Sequence, residues 1–379
     1  MTSPNSAAST STSVAPPAVR IVRTGPRGVS NSTSEFSSLL NTVRDAGLLG
    51  RRRRFYIGTF IALALAMGGA WVGFALLHDT WYQLLIAGAL GLIFTQFAFL
   101  AHEASHRQVF KSGKANDHTG RLIADLVVGI SYSWWMTKHS RHHASPNTEG
   151  RDPDIEPDFV LFQEKDAAAL RGATGIRGIY ARIVRHQGWA VWPAMTLEGL
   201  NLHRHAFRTV FSRGKVDKRA LEIVLLAVRN GGYLAVVFTL LPPGIAFAFL
   251  GVQLAVFGLY MGASFAPNHT GMPILARDAK VDFLSRQVLT SRNIRGGFAM
   301  DVFMGGLNYQ IEHHLFPSMA RPHLKRASEI VREYCEARDI HYTQTSLPEA
   351  YGIVTEYLNR VGLSARDTFE CPKAVGFGV

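Results

Sequence analysis

Seven histidines fall in three short strings of this 379-residue chain. These are His102-Glu103-Ala104-Ser105-His106, His139-Ser140-Arg141-His142-His143 and Gln310-Ile311-Glu312-His313-His314. The fifteen positions hold seven of the chain's 15 histidines, a concentration that points to a metal site. Imidazole is the commonest metal-binding side chain near neutral pH. On a helix, His102 and His106 stand four apart and share a face, as do His139 and His143. His142 fills the intervening turn, and Gln310, His313 and His314 repeat the pattern. Seven imidazoles are too many for one tetrahedral ion, which takes four ligands. Two metals in one polyhistidine cage are the economical expectation.

The first string also matches His-Glu-x-x-His, the zinc metalloprotease signature. That reading needs Glu103 as general base and leaves the other two strings without a role. Imidazole serves zinc, copper, iron and nickel alike, so the ligands alone do not choose the metal. The place of the strings narrows the choice. They lie where long apolar segments end, at the depth of lipid headgroups. Lipid chains offer mainly unactivated C–H bonds, whose cleavage needs an oxidant, and zinc has no redox chemistry. Two iron ions that activate dioxygen fit this chemistry. His269, at the end of the last apolar run, is a further candidate ligand, with Asn268 beside it as a supporting residue. His78, His118, His186, His203, His205, His323 and His341 are expected to be structural.

The elements that must carry these residues are helices in a membrane. The chain is 47% hydrophobic and only 18% charged, below the usual quarter for soluble domains. Apolar runs at 55–77, 81–101, 221–241 and 245–265 are each long enough to span; the first reaches about 34 Å against a core of about 30 Å. Arg51 to Arg54 precede the first run and a basic stretch precedes the third, so both start on the cytoplasmic side. With tiny links after the first and third runs, the expected fold is all-α: four transmembrane helices in two hairpins, with every histidine string on the cytoplasmic side. The stretches 122–136 and 189–202 are too short or too polar to span. They suit interfacial or re-entrant helices, with Trp134, Trp135, Trp189 and Trp192 at headgroup depth. Arg229 lies inside the third run and is expected either to snorkel or to be paired within the bundle.

Net charge is +12 and the pI is near 9.9. Because the basic residues flank the apolar runs, we assign this excess to topology and anionic lipid, not to nucleic acid. Cys335 and Cys371 make no disulfide framework and suit a reducing compartment. Residues 1–50 are expected to be a polar, disordered leader, and 51–379 the membrane domain. No secretory signal peptide is evident, and composition leans toward a bacterial cytoplasmic membrane.

The strings in their context, A-H-E-A-S-H-R, K-H-S-R-H-H-A-S-P-N-T and N-Y-Q-I-E-H-H-L-F-P, resemble the integral-membrane fatty acid desaturases. The third matches the branch whose last box begins with Gln. The resemblance runs from about Phe55 to about Tyr357. It implies a four-span mushroom with a cytosolic helical cap over a di-iron centre. The iron ligands it implies are His102, His106, His139, His142, His143, His313 and His314, with His269 as an eighth. Gln310 stands where other branches carry histidine, and Asp152 and Asp154 could accept N–H bonds from ligand rings. The implied reaction uses dioxygen, two electrons and two protons to leave a C=C bond in an acyl-CoA or acyl lipid. Many relatives of this branch carry a fused cytochrome with a His-Pro-Gly-Gly motif. None occurs here, so the electrons are expected from a separate ferredoxin or cytochrome with its reductase. A lipid or alkane hydroxylase or ketolase is the nearest alternative; a metal transporter is the distant one.

Overall fold

The computed structural model describes residues 29–366. Within them the chain is mostly helical; the one sheet is a two-residue parallel pairing of Asn293–Ile294 with Gln344–Thr345. Four helices are long and apolar enough to cross a membrane: Arg53–Leu77, Gln83–Ser105, Arg219–Leu240 and Pro243–His269. These are the four expected runs, each with altered ends. The second continues through His102 and the fourth through His269, so the ends of two spans carry ligand candidates on rigid helix.

The second and fourth spans form the centre of the bundle. A Cβ on Gly91 would lie 2.9 Å from both the Gln253 carbonyl and the Val256 side chain, so only glycine allows this approach. The first and third spans lie outside, with only 11% of each apolar window buried, against 50% and 39% for the second and fourth. Ile57, Leu65, Leu76, Val224, Val228 and Leu240 are exposed. So much unburied apolar surface is stable only against lipid. The links are tight. The Gln83 amide donates to the Phe74 and His78 carbonyls, both at 2.7 Å, and closes the first turn. Pro243 opens the fourth span at a position where its missing N–H costs nothing.

The third span departs from a plain helix. Ala227–Gly231 is a π turn between Arg219–Leu226 and Gly232–Leu240. Arg229 sits in that turn. Its Nε donates to the Val127 carbonyl at 2.7 Å, and its guanidinium lies between the Phe94 and Tyr233 rings at 4.5 and 4.4 Å. The cation is thus met by a carbonyl and two ring faces. Val127 belongs to a second π segment, Leu122–Val128, within the stretch expected to be interfacial. The two irregular segments meet, and the side chains of one satisfy carbonyls at the end of the other.

Two expectations need correction. The leader was expected to be disordered through residue 50, but Val29–Asp45 is a helix. Leu39 and Val43 are fully buried, in a cluster with Leu284, Leu324 and Val331. Phe36 packs against Phe283 and Phe316 at ring separations of 4.8 and 5.9 Å. Average composition concealed an apolar stripe at helical spacing (Phe36, Leu39, Leu40, Val43). Residues 1–28 of the expected leader lie outside the described residues. The tryptophans also depart from a common headgroup role. Trp189 is exposed, but Trp135 stacks on His139, Trp134 on His205, and Trp192 donates to Thr355.

Candidate metal centre

Each string reaches the site on a helix end. His102 lies in the last turn of the second span and His106 is its C-cap. His139, His142 and His143 ride on Tyr132–Ala144, whose N-terminus is capped by the Ser131 hydroxyl. That cap is itself held. Buried Glu222, from the third span, accepts from the Ser131 and Ser133 hydroxyls at 2.6 Å each and pairs with buried Arg121. His269 ends the fourth span, and His313 and His314 sit on the short helix Gln310–Leu315. Asn293 fixes that last helix. Its Oδ1 accepts from the Ile311 N–H at 2.9 Å, and its Nδ2 donates to Glu312 at 2.7 Å. The Tyr342 hydroxyl donates to the other Glu312 oxygen at 2.9 Å. Burial pushes the Glu312 carboxyl up to about 7, against the two hydrogen bonds.

The eight candidate imidazoles form two groups. His102, His106, His139, His143 and His313 make one; His142, His269 and His314 make the other. Donor atoms within each group lie within 4.8 Å of one another. The His139 Nε2 is 2.9 Å from that of His102, 2.7 Å from that of His106 and 3.0 Å from that of His143. One imidazole nitrogen bears at most one proton and cannot hydrogen-bond to three neighbours at once. Nitrogens bound to one ion at about 2.1 Å and at right angles stand about 3 Å apart, so this crowding fits a cation's ligand shell. The His313 and His314 Nε2 atoms are buried without a partner, as metal-directed lone pairs would be. The groups adjoin where the His143 and His314 rings stack at 4.2 Å.

The second group shows how the lone pairs are aimed. His142 Nδ1 donates to Asp152 at 3.0 Å and lies 3.2 Å from Asp154. His269 Nδ1 donates to the Thr290 carbonyl, and His314 Nδ1 to the Gln287 amide oxygen, both at 2.9 Å. Each bond fixes the tautomer and puts the lone pair on Nε2; that of His314 has no partner, whereas that of His269 meets the Gln310 amide. Gln310 stands at the edge of this group. Its Nε2 is 3.0 Å from His269 Nε2, and its Oε1 accepts from Asn268. In this orientation Gln310 offers a proton, not a lone pair. Thr290 and Gln287 gave no signal in the sequence; each is a lone polar residue far from any string. Among the described residues, the seven histidines expected to be structural lie outside both groups.

Burial, with the charge of neighbouring imidazoles, holds His139, His143, His313 and His314 well below the ordinary histidine range. For His106 burial and His142 bring the value down to about 3. Burial opposes the charge on His142 too, but Asp154 and Asp152 outweigh it and raise the ring. Most of the site is therefore neutral imidazole at pH 7, the form that binds metal. Glu103 cannot act as a protease base here. Arg321 grips both its oxygens, at 2.7 and 2.6 Å.

A cavity of about 290 Å³ adjoins the histidines. His139, His142, His269 and Gln310 form one side, and apolar residues including Val160, Met195, Met261 and Leu358 form much of the rest. Lys138, Asp154 and Glu198 also line it, with Lys138 and Asp154 paired at 2.9 Å. Trp135 and Phe265, whose ring centroids are 6.1 Å apart, separate this cavity from a recess of about 40 Å³. Ala98, Ala101, Ala124 and Val128 line the recess, which is almost wholly apolar.

Helices fit for a membrane, with a paired histidine site and an apolar cavity at their ends, define a lipid-modifying class of protein. Comparison with known families agrees. The family model described as fatty acid desaturase matches residues 79–346, and the chain belongs to that family. It is 27% identical over 352 residues to a Delta(8)-fatty-acid desaturase of Borago officinalis, covering 91% of this chain and 79% of that one. An acyl-lipid (9-3)-desaturase of the same plant is 25% identical, with 89% and 77% covered. A Delta 8-(E)-sphingolipid desaturase of Kluyveromyces lactis is 25% identical, with 90% and 61% covered. These relatives are eukaryotic and lend no support to the bacterial expectation.

Proposed function

We propose that this chain inserts a C=C bond into a fatty acyl chain, using dioxygen at a centre of two iron ions. The observation that carries the proposal is the division of eight imidazoles into two adjoining groups beside a mainly apolar cavity. The five-histidine group would hold one ion and the three-histidine group the other. Bound iron supplies the redox chemistry with dioxygen that unactivated methylenes demand. Overall, two hydrogens leave adjacent carbons, and with two further electrons and two protons dioxygen is reduced to water.

The protein's own residues do the positioning. Asp152, Thr290 and Gln287 hold three rings in one tautomer. The apolar walls align the chain and keep bulk water from the site. Trp135 and Phe265 limit how far the chain passes the histidines. Lys138, Asp154 and Glu198 suit the polar end of an acyl-CoA or acyl lipid, a substrate choice in keeping with the names of the relatives. The four spans form two hairpins, with the histidine site on the cytoplasmic side under a cap of shorter helices. A separate ferredoxin or cytochrome with its reductase delivers the electrons. The test is expression in a host of defined lipid composition, with new double bonds located by mass spectrometry and metal counted by elemental analysis. A single bound zinc, or hydroxylated lipid with no new double bond, would overturn the proposal.

A further inference from the structure

We propose that the basic pocket at the start of the first span binds the phosphate headgroup of an anionic phospholipid. Arg51, Arg52, Arg53, Arg54 and Lys111 line a cavity of about 650 Å³ with Phe55 and Pro322. Among the described residues none of these five cations is paired with a carboxylate. Elsewhere on the surface some cations are paired, as Lys138 is with Asp154, Arg141 with Glu156 and Arg326 with Glu329; here five meet at one cavity with no carboxylate among its lining residues. Five unpaired charges around one cavity repel one another, and a bound anion relieves that repulsion.

The backbone adds to the attraction. The pocket sits at the N-terminus of the 25-residue helix Arg53–Leu77, whose N-cap, Arg52, makes no side-chain cap bond. The first N–H groups of so long a helix concentrate about half a unit of positive charge there. Arg53 and Arg54 add their side chains at the same end.

Position favours a lipid over a soluble phosphate. Immediately beyond the pocket the same helix exposes Ile57, Phe60, Ile61 and Leu65, an apolar face that lipid chains would cover. A headgroup in the pocket would place its acyl chains along that face. The cavity beside the histidines shares no lining residue with the pocket. We therefore assign the pocket to a lipid other than the substrate.

The pocket also touches the segment that follows the third histidine string. Arg51 donates to the Ser318 carbonyl at 2.8 Å, and Arg52 Nε lies 3.1 Å from His323 Nε2. Arg321, between them in sequence, lies over the Phe55 ring and grips Glu103 beside His102. A lipid that orders Arg51 and Arg52 would steady this segment, and the proposal does not depend on which reaction the histidines support.

The test uses the full chain in nanodiscs of phosphatidylcholine, with and without phosphatidylglycerol, read by native mass spectrometry and thermal unfolding. The expected result is one retained phosphatidylglycerol per chain and a higher melting temperature. The triple variant Arg53→Gln, Arg54→Gln, Lys111→Gln should bind about a hundredfold more weakly, at roughly a fivefold loss per cation. It should keep its helical content and its melting temperature in phosphatidylcholine alone. Equal retention of phosphatidylglycerol by the variant would overturn the proposal. So would a melting shift without a one-to-one adduct, or displacement of the lipid by coenzyme A, which would mark a substrate phosphate site.

Discussion

At the scale of the residue, the site works through imidazoles kept neutral and aimed by partners. His142 belongs to the three-histidine group, so His142→Ala should lose roughly half the bound metal and all turnover, because the remaining pair of rings holds an ion weakly. Elemental analysis and a product assay check this; full metal content with wild-type turnover would remove His142 from the ligand set. Asp152→Asn keeps the shape but weakens the bond to His142 Nδ1, and metal affinity should fall about 10- to 100-fold. Acid should act on the metal-free protein in a defined direction. Burial and His142 hold His106 near 3, whereas an unfolded imidazole titrates near about 6.5. Above that value the two states bind equal protons at this position. Below it the unfolded chain takes up a proton that the folded one refuses, so stability falls as pH drops toward 3. The other depressed rings act in the same sense. Chelator-treated protein should therefore melt at progressively lower temperature from about pH 7 downward, and a flat profile to about pH 5 would contradict the burial argument.

At the scale of the element, helix ends are held by side chains from other helices, and these contacts are where damage should spread. Arg229→Met removes the donor to the Val127 carbonyl and the charge between two rings. We expect a loss of about 1–3 kcal/mol, read as a lower melting temperature in detergent. The helix Val29–Asp45 makes a similar claim. Leu39→Ala should cost about 2–5 kcal/mol, since the residue is fully buried against the helices near the third string. A surface-like effect of a few tenths would deny the docking. Trp135 and Phe265 form the wall between cavity and recess. Phe265→Ala joins the two spaces and should move the new double bond or admit longer chains. Ala98→Leu fills the recess and should act oppositely. Unchanged product positions in both active variants would show that the wall does not set register.

At the scale of the whole molecule, outer spans with little buried surface and inner spans packed on each other make a bundle that needs lipid around it. Its histidines sit where two inner spans end, so the metals would meet a chain at the edge of the apolar layer. Electron supply belongs to this scale. We expect purified protein to be inactive with NAD(P)H alone and to turn over when a ferredoxin or cytochrome with its reductase is added. Self-sufficient turnover would contradict a separate donor.

Much of this protein is determined locally and so was legible in the chain. Span length and polarity are set by a run of neighbouring residues, and the three strings place their rings by helical spacing alone. His269 stood out because it follows an apolar run. The tertiary structure decided what depends on distant residues meeting. The split into groups of five and three puts His142 apart from its helix neighbours, because His139 and His143, four apart, share a face, whereas His142 leaves the helix about 100° round from His143 and meets Asp152 and His314. Thr290, Gln287 and Arg321 became meaningful only when folding brought them to His269, His314 and Glu103. The helix at Val29–Asp45 was hidden for the same reason: a short amphipathic stripe gains its stability from the surface it covers, and that surface lies some 250 residues further along the chain.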